Sequence, residues 1–247
     1  MSVPVTVISA VWRHQQDKEA LLRGHMANLD RQTVAHERIY VFDEGDQPPE
    51  WLKGHALTSR EPLTLYQAWN VALSLVRTPF VMNLNLDDRL AIDGIEVLLA
   101  TLNQDPEIYL AGGDWKITSS EPETDSIDRA YPLDRLPHSL CWPPASDVEA
   151  RLGSGDGLNT FSFGPACLWR MDAHLAIPRF PYRFADGTLM KVIGDAVWWH
   201  LLATHAQKKL ARAPLVIGNY RTWPSSQAEF RHDDKGNERN RGDFSLL

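Results

Sequence analysis

Two adjacent aspartates, Asp87 and Asp88, carry the strongest chemical signal in the sequence. They follow an apolar run, Phe80–Leu84, and stand just after Asn85. An apolar run suits a buried strand, and the carboxyl end of a strand in an open α/β sheet is where ligands are normally held. Adjacent carboxylates repel each other unless a cation lies beside them, and Mg²⁺ or Mn²⁺ bound to a substrate phosphate is a common one. The alternative is that one of the aspartates caps a helix after the strand.

The composition of the chain argues against several classes of protein. The 247 residues carry a formal net charge of −7, which does not favour binding to a nucleic-acid backbone. Its two cysteines, Cys141 and Cys167, form neither a disulfide framework nor a metal-ligand spacing, and they suit a reducing compartment. We find neither a signal-peptide pattern nor an apolar window long enough to span a bilayer. We therefore expect a cytoplasmic location, free or peripheral to the inner face of the membrane.

The apolar patterns predict strands that alternate with helices over the first half of the chain. This alternation is typical of a parallel, doubly wound α/β sheet. Each strand ends in polar residues, so Ser9–Trp12, Asp43–Asp46 and Asn85–Arg89 are expected along one edge of the sheet. We predict strands at Val3–Ser9, Arg38–Phe42, Phe80–Leu84 and Ile108–Ala111, the last ended by Gly112-Gly113, and helices at Lys18–Asn28, Leu65–Val76 and Asp93–Asn103.

Regular patterning fades from Asp114 to about Asn159, where prolines and the glycine run Gly153–Gly157 interrupt it. A loop this long is typical of an active-site lid or of a disordered segment. The glycine run lacks the flanking strand and helix of a dinucleotide-binding loop, so we interpret it as a flexible loop. Regular structure is predicted again in the strands Thr160–Arg170 and Leu215–Tyr220 and in the helix Val192–Ala203.

Several stretches match, in order and spacing, the motifs of one enzyme family. They are Val5–Ser9, Ile39–Gly45, Ala68–Asn70, Leu84–Asp88, Gly164-Pro165 with Trp169-Arg170, Gly194-Asp195 with Trp198-Trp199, and Tyr220-Arg221. Together they resemble the family 2 glycosyltransferases, the inverting group with the GT-A fold. The resemblance covers roughly Val3 to Ser225. It implies a single GT-A-type α/β domain over residues 1–225, in which a Rossmann-like, mostly parallel sheet is flanked by helices. Residues 1–112 would bind the nucleotide, residues 113–225, with their long irregular segment, would bind the acceptor, and residues 226–247 would form a polar tail.

The resemblance also implies roles for individual residues and a divalent cofactor, Mn²⁺ or Mg²⁺. Asp195 would be the general base and Asp87 the metal ligand. The donor would contact Ser9, Ala10, Trp12, Asp43, Asn70, Asn85 and Asp88, and the acceptor would contact Trp115, Trp169, Arg170, Trp198 and Trp199. The function implied is transfer of a sugar from a nucleoside diphosphate, UDP being expected, to a hydroxyl of a saccharide or lipid-linked saccharide, as in polysaccharide biosynthesis.

Some positions depart from the family pattern. Asn85 stands in place of the first carboxylate of the metal motif, Glu44 in place of an aspartate, and Gly194 in place of the glutamate before the base. Trp223 stands where the family often has a histidine, which puts a late histidine ligand in doubt and leaves His232 as a weak substitute.

Several side chains keep a second interpretation from the residues alone. Asp43 can accept the N3–H of uracil or can satisfy its own turn. Trp12 can stack on the base or fill the core, and only one of Trp198 and Trp199 is expected in the core. Asp195 can be a base or a plain helix cap.

Two other functions compete with glycosyl transfer. A nucleotidyltransferase usually has a glycine-rich loop after its first strand, and the loop Ala10–Arg13 has no glycine. A non-catalytic nucleotide-sugar or carbohydrate-binding module is favoured by Asn85 and Trp223, whereas the presence of both Asp87 and Asp195 argues against it.

Overall fold

A computed structural model describes residues 3–137, 140–142 and 163–222. In chain order the strands are β1 (Val5–Val11), β2 (His36–Phe42), β3 (His55–Thr58), β4 (Phe80–Asn83), β5 (Arg89–Leu90), β6 (Ile108–Thr118), β7 (Tyr131–Pro132), β8 (Cys141–Trp142), β9 (Leu168–Arg170) and β10 (Lys209–Arg221). The helices are α1 (Lys18–Asp30), α2 (Leu65–Leu73), α3 (Gly94–Leu102), α4 (Glu121–Thr124), α5 (Ala173–Ala176) and α6 (Gly194–Thr204), with a 3₁₀ turn at Leu133–Arg135. No helix within these residues is long and apolar enough to cross a membrane.

All ten strands belong to one mixed sheet. Its main order is β3-β2-β1-β4-β9-β6-β10-β5, and β7 and β8 pair with β10 and β6. Strands β3, β2, β1 and β4 run parallel, β9 runs antiparallel between β4 and β6, and β6 and β10 are parallel again. The predicted α/β class with a mostly parallel sheet is therefore confirmed.

Helices cover both faces of β1. Ile8 packs in one core cluster with Trp69 of α2 and Trp198 of α6. Val7 packs in another cluster that includes Leu98 of α3. Burial on both faces explains why this strand is almost continuously apolar rather than alternating. The other elements predicted in the first half are found within a few residues of their expected ends.

One prediction, that Gly112-Gly113 ends a short strand, is wrong, because β6 continues through both glycines to Thr118. A Cβ on Gly112 would lie 2.6 Å from the Cβ of Phe163, and one on Gly113 would lie 2.8 Å from the Cγ2 of Ile217. Glycine here allows close packing inside a strand rather than a turn.

The segment predicted as a long loop from Asp114 to Asn159 contains regular structure where it is described. It holds the end of β6, α4, β7, the 3₁₀ turn and β8. Strand β9 covers only the last part of the strand predicted at Thr160–Arg170. The glycine run Gly153–Gly157, Trp223, His232 and the predicted tail 226–247 lie outside the described residues.

Candidate active site

The polar loops after β1, β2 and β4 meet at one edge of the sheet. β1 pairs with β2 and with β4 in parallel register, so the carboxyl ends of the three strands point the same way. Trp12 follows β1, Asp43 follows β2, and the Asn85–Asp88 loop follows β4. Trp12 leaves 49% of its surface exposed, as a side chain that stacks on a ligand would. Ala10 is half-buried beside it.

The two aspartates of the β4 loop differ in their surroundings. Asp88 is fully buried, and its Oδ1 accepts the backbone N–H of Arg221 at 3.2 Å while its Oδ2 accepts the Nδ2 amide of Asn85 at 3.2 Å. Asp87 is half-buried. Burial, and then the charge of Asp87, raise the pKa of Asp88 well above its usual value. Burial also raises the pKa of Asp87. A cation bound beside the pair would therefore offset the free-energy cost of holding two negative charges close together in a buried loop.

The residues of this loop fit a divalent cation that takes its other ligands from a substrate. Within the described part of the chain, no group of three or more His, Cys, Asp or Glu side chains could hold a metal alone. Mg²⁺ commonly binds through one or two carboxylates together with substrate phosphates. Because protein groups already occupy both oxygens of Asp88, the more exposed Asp87 is the better placed direct ligand, with Asp88 beside it.

Asp43 ties together the loops on either side of its turn. The side chain is 5% exposed, and its Oδ1 accepts the backbone N–H of Arg13 at 2.8 Å. Its Oδ2 lies 3.5 Å from the backbone nitrogen of Leu63, just before α2. Glu44 and Gly45 have φ of 49° and 73°, the left-handed conformation of a tight turn. The Asp43 side chain thus joins the loop after β1 to the segment before α2, at the edge where a nucleotide base is expected.

Asp195 is the second residue of α6 and is held in place by α2. Its Oδ1 accepts the phenol hydroxyl of Tyr66 at 3.1 Å and the backbone N–H of Ala196 at 2.8 Å. Thr64, two residues before Tyr66, caps α2 through a reciprocal capping box with Gln67. Sequence reasoning missed Tyr66. The threonine and glutamine three residues apart were the available signal that α2 begins here.

Gly194 explains how α6 approaches Tyr66 so closely. A Cβ at Gly194 would overlap the carbonyl oxygen of Pro181 and lie 2.6 Å from the Tyr66 ring. A glutamate, expected at this position from the family pattern, would not fit in this arrangement. The departure is therefore a consequence of packing that brings Asp195 against Tyr66.

Asn83 joins the end of β4 to the segment that contains Cys167. Asn83, the last residue of β4, accepts the backbone N–H of Cys167 at 3.0 Å and donates to the carbonyl of Pro165 at 2.8 Å. Burial first, and then the charge of Asp195, raise the pKa of the Cys167 thiol. The Asp195 carboxylate thus acts electrostatically on a residue that is hydrogen-bonded to the end of β4.

The four tryptophans predicted to contact an acceptor lie in the core instead: Trp115, Trp169, Trp198 and Trp199 are each 5% exposed or less. A side chain on either Gly164 or Gly218 would collide with the indole of Trp115. Trp169 and Trp198 pack against Phe180, with ring centroids 5.6 and 4.8 Å away. That prediction is wrong for these side chains, because an indole suits a core as well as a binding surface.

Arg170 and Asn70 also serve the fold. Arg170 pairs with Phe80 at the amino end of β4, opposite the candidate site, and its Nε donates to the carbonyl of Ile108 at 2.9 Å. The amide of Asn70 donates to the carbonyl of Phe180 and accepts its N–H, both at 2.9 Å. The predicted acceptor contact of Arg170 is wrong for this reason, and the Asn70 amide is used in joining α2 to the chain before α6.

Ser9 belongs to a buried network rather than to the crevice. Its hydroxyl lies 3.2 Å from the Nε2 of His25, whose Nδ1 lies 3.3 Å from the Tyr40 hydroxyl. All three side chains are buried. The Ser9 hydroxyl therefore faces α1, and the donor contact predicted for this residue stays a prediction.

His25 should make the protein sensitive to acid. Burial, and then the charges of Arg89 and Arg38, lower the pKa of His25 to about 3, against about 6.5 in an unfolded chain. Below pH 6.5 the unfolded chain gains a proton that the folded protein does not, so stability falls until about pH 3.

We expect the free energy of unfolding to drop by about 1 kcal/mol more between pH 6 and pH 5 in wild type than in His25→Gln. Urea unfolding at both pH values measures this, and His55→Gln, at an exposed site, should behave as wild type. Equal acid sensitivity in all three proteins would contradict it.

Solved structures of similar fold complete the description. No family model and no curated protein sequence matches the chain. S. aureus TarS 1-349 in complex with UDP aligns over 95% of this chain and 68% of its own, with 11% identity and a TM-score of 0.57. The complex of the same protein with UDP-GlcNAc has 10% identity to this chain and a TM-score of 0.58. The mannosyltransferase PcManGT from Pyrobaculum calidifontis, in complex with GDP-Man and Mn²⁺, aligns over 92% of this chain with 12% identity and a TM-score of 0.60, and the chain spans 59% of its length. At these identities the comparison establishes that the chain has the fold of these proteins, a GT-A-type α/β fold.

Proposed function

We propose that the protein is an inverting glycosyltransferase that moves a sugar from a nucleoside diphosphate, with UDP the expected nucleotide, to a hydroxyl of a saccharide or lipid-linked saccharide. The observation that carries this proposal is the Asp87–Asp88 pair in the loop after β4, at the carboxyl ends of the parallel strands of a GT-A-type sheet. The nucleotides bound in the structures of similar fold support it.

The nucleotide would lie at the edge formed by the loops after β1 and β2. The exposed indole of Trp12 can cover one face of the base. Asp43 has a carboxylate whose Oδ2 meets the Leu63 nitrogen only at the long distance of 3.5 Å. That oxygen retains the capacity to accept a second hydrogen bond, as from the N3–H of uracil.

Asp87, with Asp88 beside it, would hold Mn²⁺ or Mg²⁺ together with the donor diphosphate. Such a cation, when bound, supplies positive charge where the leaving diphosphate becomes more negative. Asn85 and the Arg221 backbone keep Asp88 in place by occupying its two oxygens. This is a use for Asn85 that requires no negative charge at that position.

Asp195 would accept the proton of the acceptor hydroxyl as that oxygen attacks the sugar from the side opposite the diphosphate. Inversion by direct displacement needs one such base. The Tyr66 hydroxyl and the Ala196 N–H both bind Oδ1 and so fix the orientation of the carboxylate. Since the predicted acceptor tryptophans are in the core, we expect acceptor selectivity to depend on residues around the amino end of α6.

A nucleotide screen tests the proposal directly. UDP, GDP, dTDP and CMP are compared by thermal shift, each with and without Mn²⁺. We expect UDP with Mn²⁺ to stabilise most, by about 2.7 kcal/mol when its concentration is 100 times its dissociation constant. CMP, which has one phosphate, should respond least to Mn²⁺. The proposal would be contradicted if no nucleoside diphosphate stabilises the protein, or if Mn²⁺ makes no difference to any of them.

A non-catalytic nucleotide-sugar-binding module is the second candidate, favoured by the reduction of the metal motif at Asn85. It predicts the same thermal shifts with UDP and Mn²⁺. It differs in that UDP-sugars would never be hydrolysed or transferred by wild type, and Asp195→Asn would change nothing. Donor hydrolysis with and without Mn²⁺ therefore separates the two functions.

A further inference from the structure

The side chain of Arg89, the residue after the aspartate pair, donates hydrogen bonds to the backbone on both sides of Asp87. Its Nη1 donates to the carbonyl of Leu86 at 2.7 Å and to the carbonyl of Asp88 at 2.9 Å. The side chain is 5% exposed. The Leu86 carbonyl belongs to the peptide unit just before Asp87, and the Asp88 carbonyl belongs to the unit just after Asp88. One guanidinium therefore restrains both ends of the short segment that carries the Asp87 carboxylate.

The guanidinium sits in a fitted space between distant parts of the chain. Its Nε donates to the Oδ1 of Asp125, just after α4, at 2.7 Å. On the other side, α1 presents Gly24, where a Cβ would overlap Nη2 of Arg89. A buried guanidinium is costly to desolvate unless it is well hydrogen-bonded, and a planar fork with several donors suits such a site better than a lysine. Arg89 therefore links the chain after the aspartate pair to α1 by packing and to the end of α4 by an ion pair.

A loop held in this way should bind a cation at lower cost. When a loop must become ordered on binding, the entropic cost of ordering it reduces the binding free energy. A loop that is already restrained in the unbound protein avoids most of this cost. The two hydrogen bonds from Arg89 therefore favour Asp87 as a ligand held in a fixed direction.

We propose that Arg89 is a positioning residue for the cation–diphosphate site, that it acts by holding the carbonyls on either side of Asp87, and that Gly24 of α1 provides the space it needs. The assignment rests on the proposed function, since it takes Asp87 as a cation ligand. Arg89 itself touches neither cation nor donor. Its effect should therefore appear in cation affinity rather than in nucleotide affinity without metal.

The test measures Mn²⁺ binding in the presence of UDP by the loss of the electron paramagnetic resonance signal of free Mn²⁺. We expect Arg89→Met to weaken Mn²⁺ binding about 10- to 100-fold, the range seen when partners of metal ligands are removed. UDP affinity without metal should stay as in wild type. Arg89→Lys, which keeps the charge but not the fork, should fall between the two.

Arg38→Met is the matched control. Arg38 is also a largely buried arginine, with its side chain 11% exposed, and it pairs with Asp30 at the end of α1. It makes no contact with the aspartate loop among its hydrogen bonds. A loss of Mn²⁺ affinity equal to that of Arg89→Met would show that removing any buried arginine has this effect and would overturn the proposal.

Gly24→Ala tests the same contact from α1. Alanine favours a helix over glycine, so the helix itself should not suffer. We expect Mn²⁺ affinity to fall several-fold in the wild-type background and not to fall further in the Arg89→Met background, because the two changes act on one contact. Additive losses would overturn the role given to Gly24.

The outcomes separate this proposal from the proposed function. If wild type binds no Mn²⁺ with UDP, the proposed function fails. If wild type binds both and Asp87→Ala abolishes Mn²⁺ binding, but folded Arg89→Met binds Mn²⁺ as wild type does, then Arg89 is not a positioning residue while the proposed function stands. Should Arg89→Met not fold, unchanged affinity in both Arg89→Lys and Gly24→Ala would overturn the proposal.

Discussion

Replacing Asp195 with asparagine is expected to lower kcat about 100- to 10,000-fold, the usual contribution of a general base. Asparagine has nearly the same shape, and its Oδ1 can still accept from the Tyr66 hydroxyl and the Ala196 N–H. The fold and the position of α6 should persist, and only the capacity to take a proton is lost. UDP and Mn²⁺ binding should remain as in wild type, because these ligands are assigned to the Asp87 loop. Single-turnover transfer assays and thermal shifts measure the two properties separately.

Asp93→Asn is the matched control for this variant. Asp93 likewise lies at the amino end of a helix, as the residue just before α3, and its Oδ1 accepts the backbone N–H of Ala130 at 2.8 Å. The change removes the same charge at the same kind of position, far along the chain from Asp195. Transfer activity should be retained. A well-folded Asp195→Asn protein with wild-type kcat would contradict the assignment of Asp195 as the base. An equal loss of kcat in Asp93→Asn would show that the effect is not specific to Asp195.

Replacing Asp87 with alanine is expected to remove the Mn²⁺-dependent part of UDP binding. If the dissociation constant for UDP with Mn²⁺ rises about 100-fold, then the stabilisation at a UDP concentration of 100 times the wild-type constant falls from about 2.7 to about 0.4 kcal/mol. Without ligand, the variant should be as stable as wild type or more stable, because the charge of Asp87 contributes to the raised pKa of Asp88. Unchanged or higher stability without ligand, together with loss of the stabilisation by UDP and Mn²⁺, is characteristic of a binding residue.

Asp105→Ala controls for the loss of one carboxylate. Asp105 precedes β6 at the opposite edge of the sheet and pairs with Lys209 at 2.7 Å. Its removal should leave the UDP and Mn²⁺ response intact. Thermal shifts of the three proteins over a UDP series, with and without Mn²⁺, provide the comparison. If Asp87→Ala keeps the Mn²⁺-dependent response, another residue holds the cation.

The elements around the candidate site were largely predictable because their signals are local. The apolar run Phe80–Leu84 predicted β4, and the periodicity of Leu65–Val76 predicted α2. Polar residues at the ends of parallel strands must lie at the same edge of a sheet, which placed Trp12, Asp43 and the aspartate loop together before any coordinates. Each of these inferences used residues a few positions apart.

Signals that serve more than one structural purpose misled the prediction. Gly112-Gly113 satisfies the pattern of a turn, but both glycines make room for side chains from other segments. Trp115, Trp169 and Trp198 suit an acceptor platform by residue type, yet all three are buried. Burial depends on which distant surfaces meet, and neither residue type nor spacing contains that information.

By itself, the sequence determined the α/β alternation and the polar and acidic residues at the strand ends where ligands are expected, since apolar periodicity and strand ends are properties of short segments. The tertiary structure alone decided how these acids differ. Asp195 meets Tyr66 across 129 positions of the chain, and Asp88 meets the Arg221 backbone across 133. Asp87 lies between two carbonyls held by Arg89, and Arg89 has room only because α1 presents Gly24. Contacts of this range are set by the packing of whole elements, so no local pattern could have revealed them.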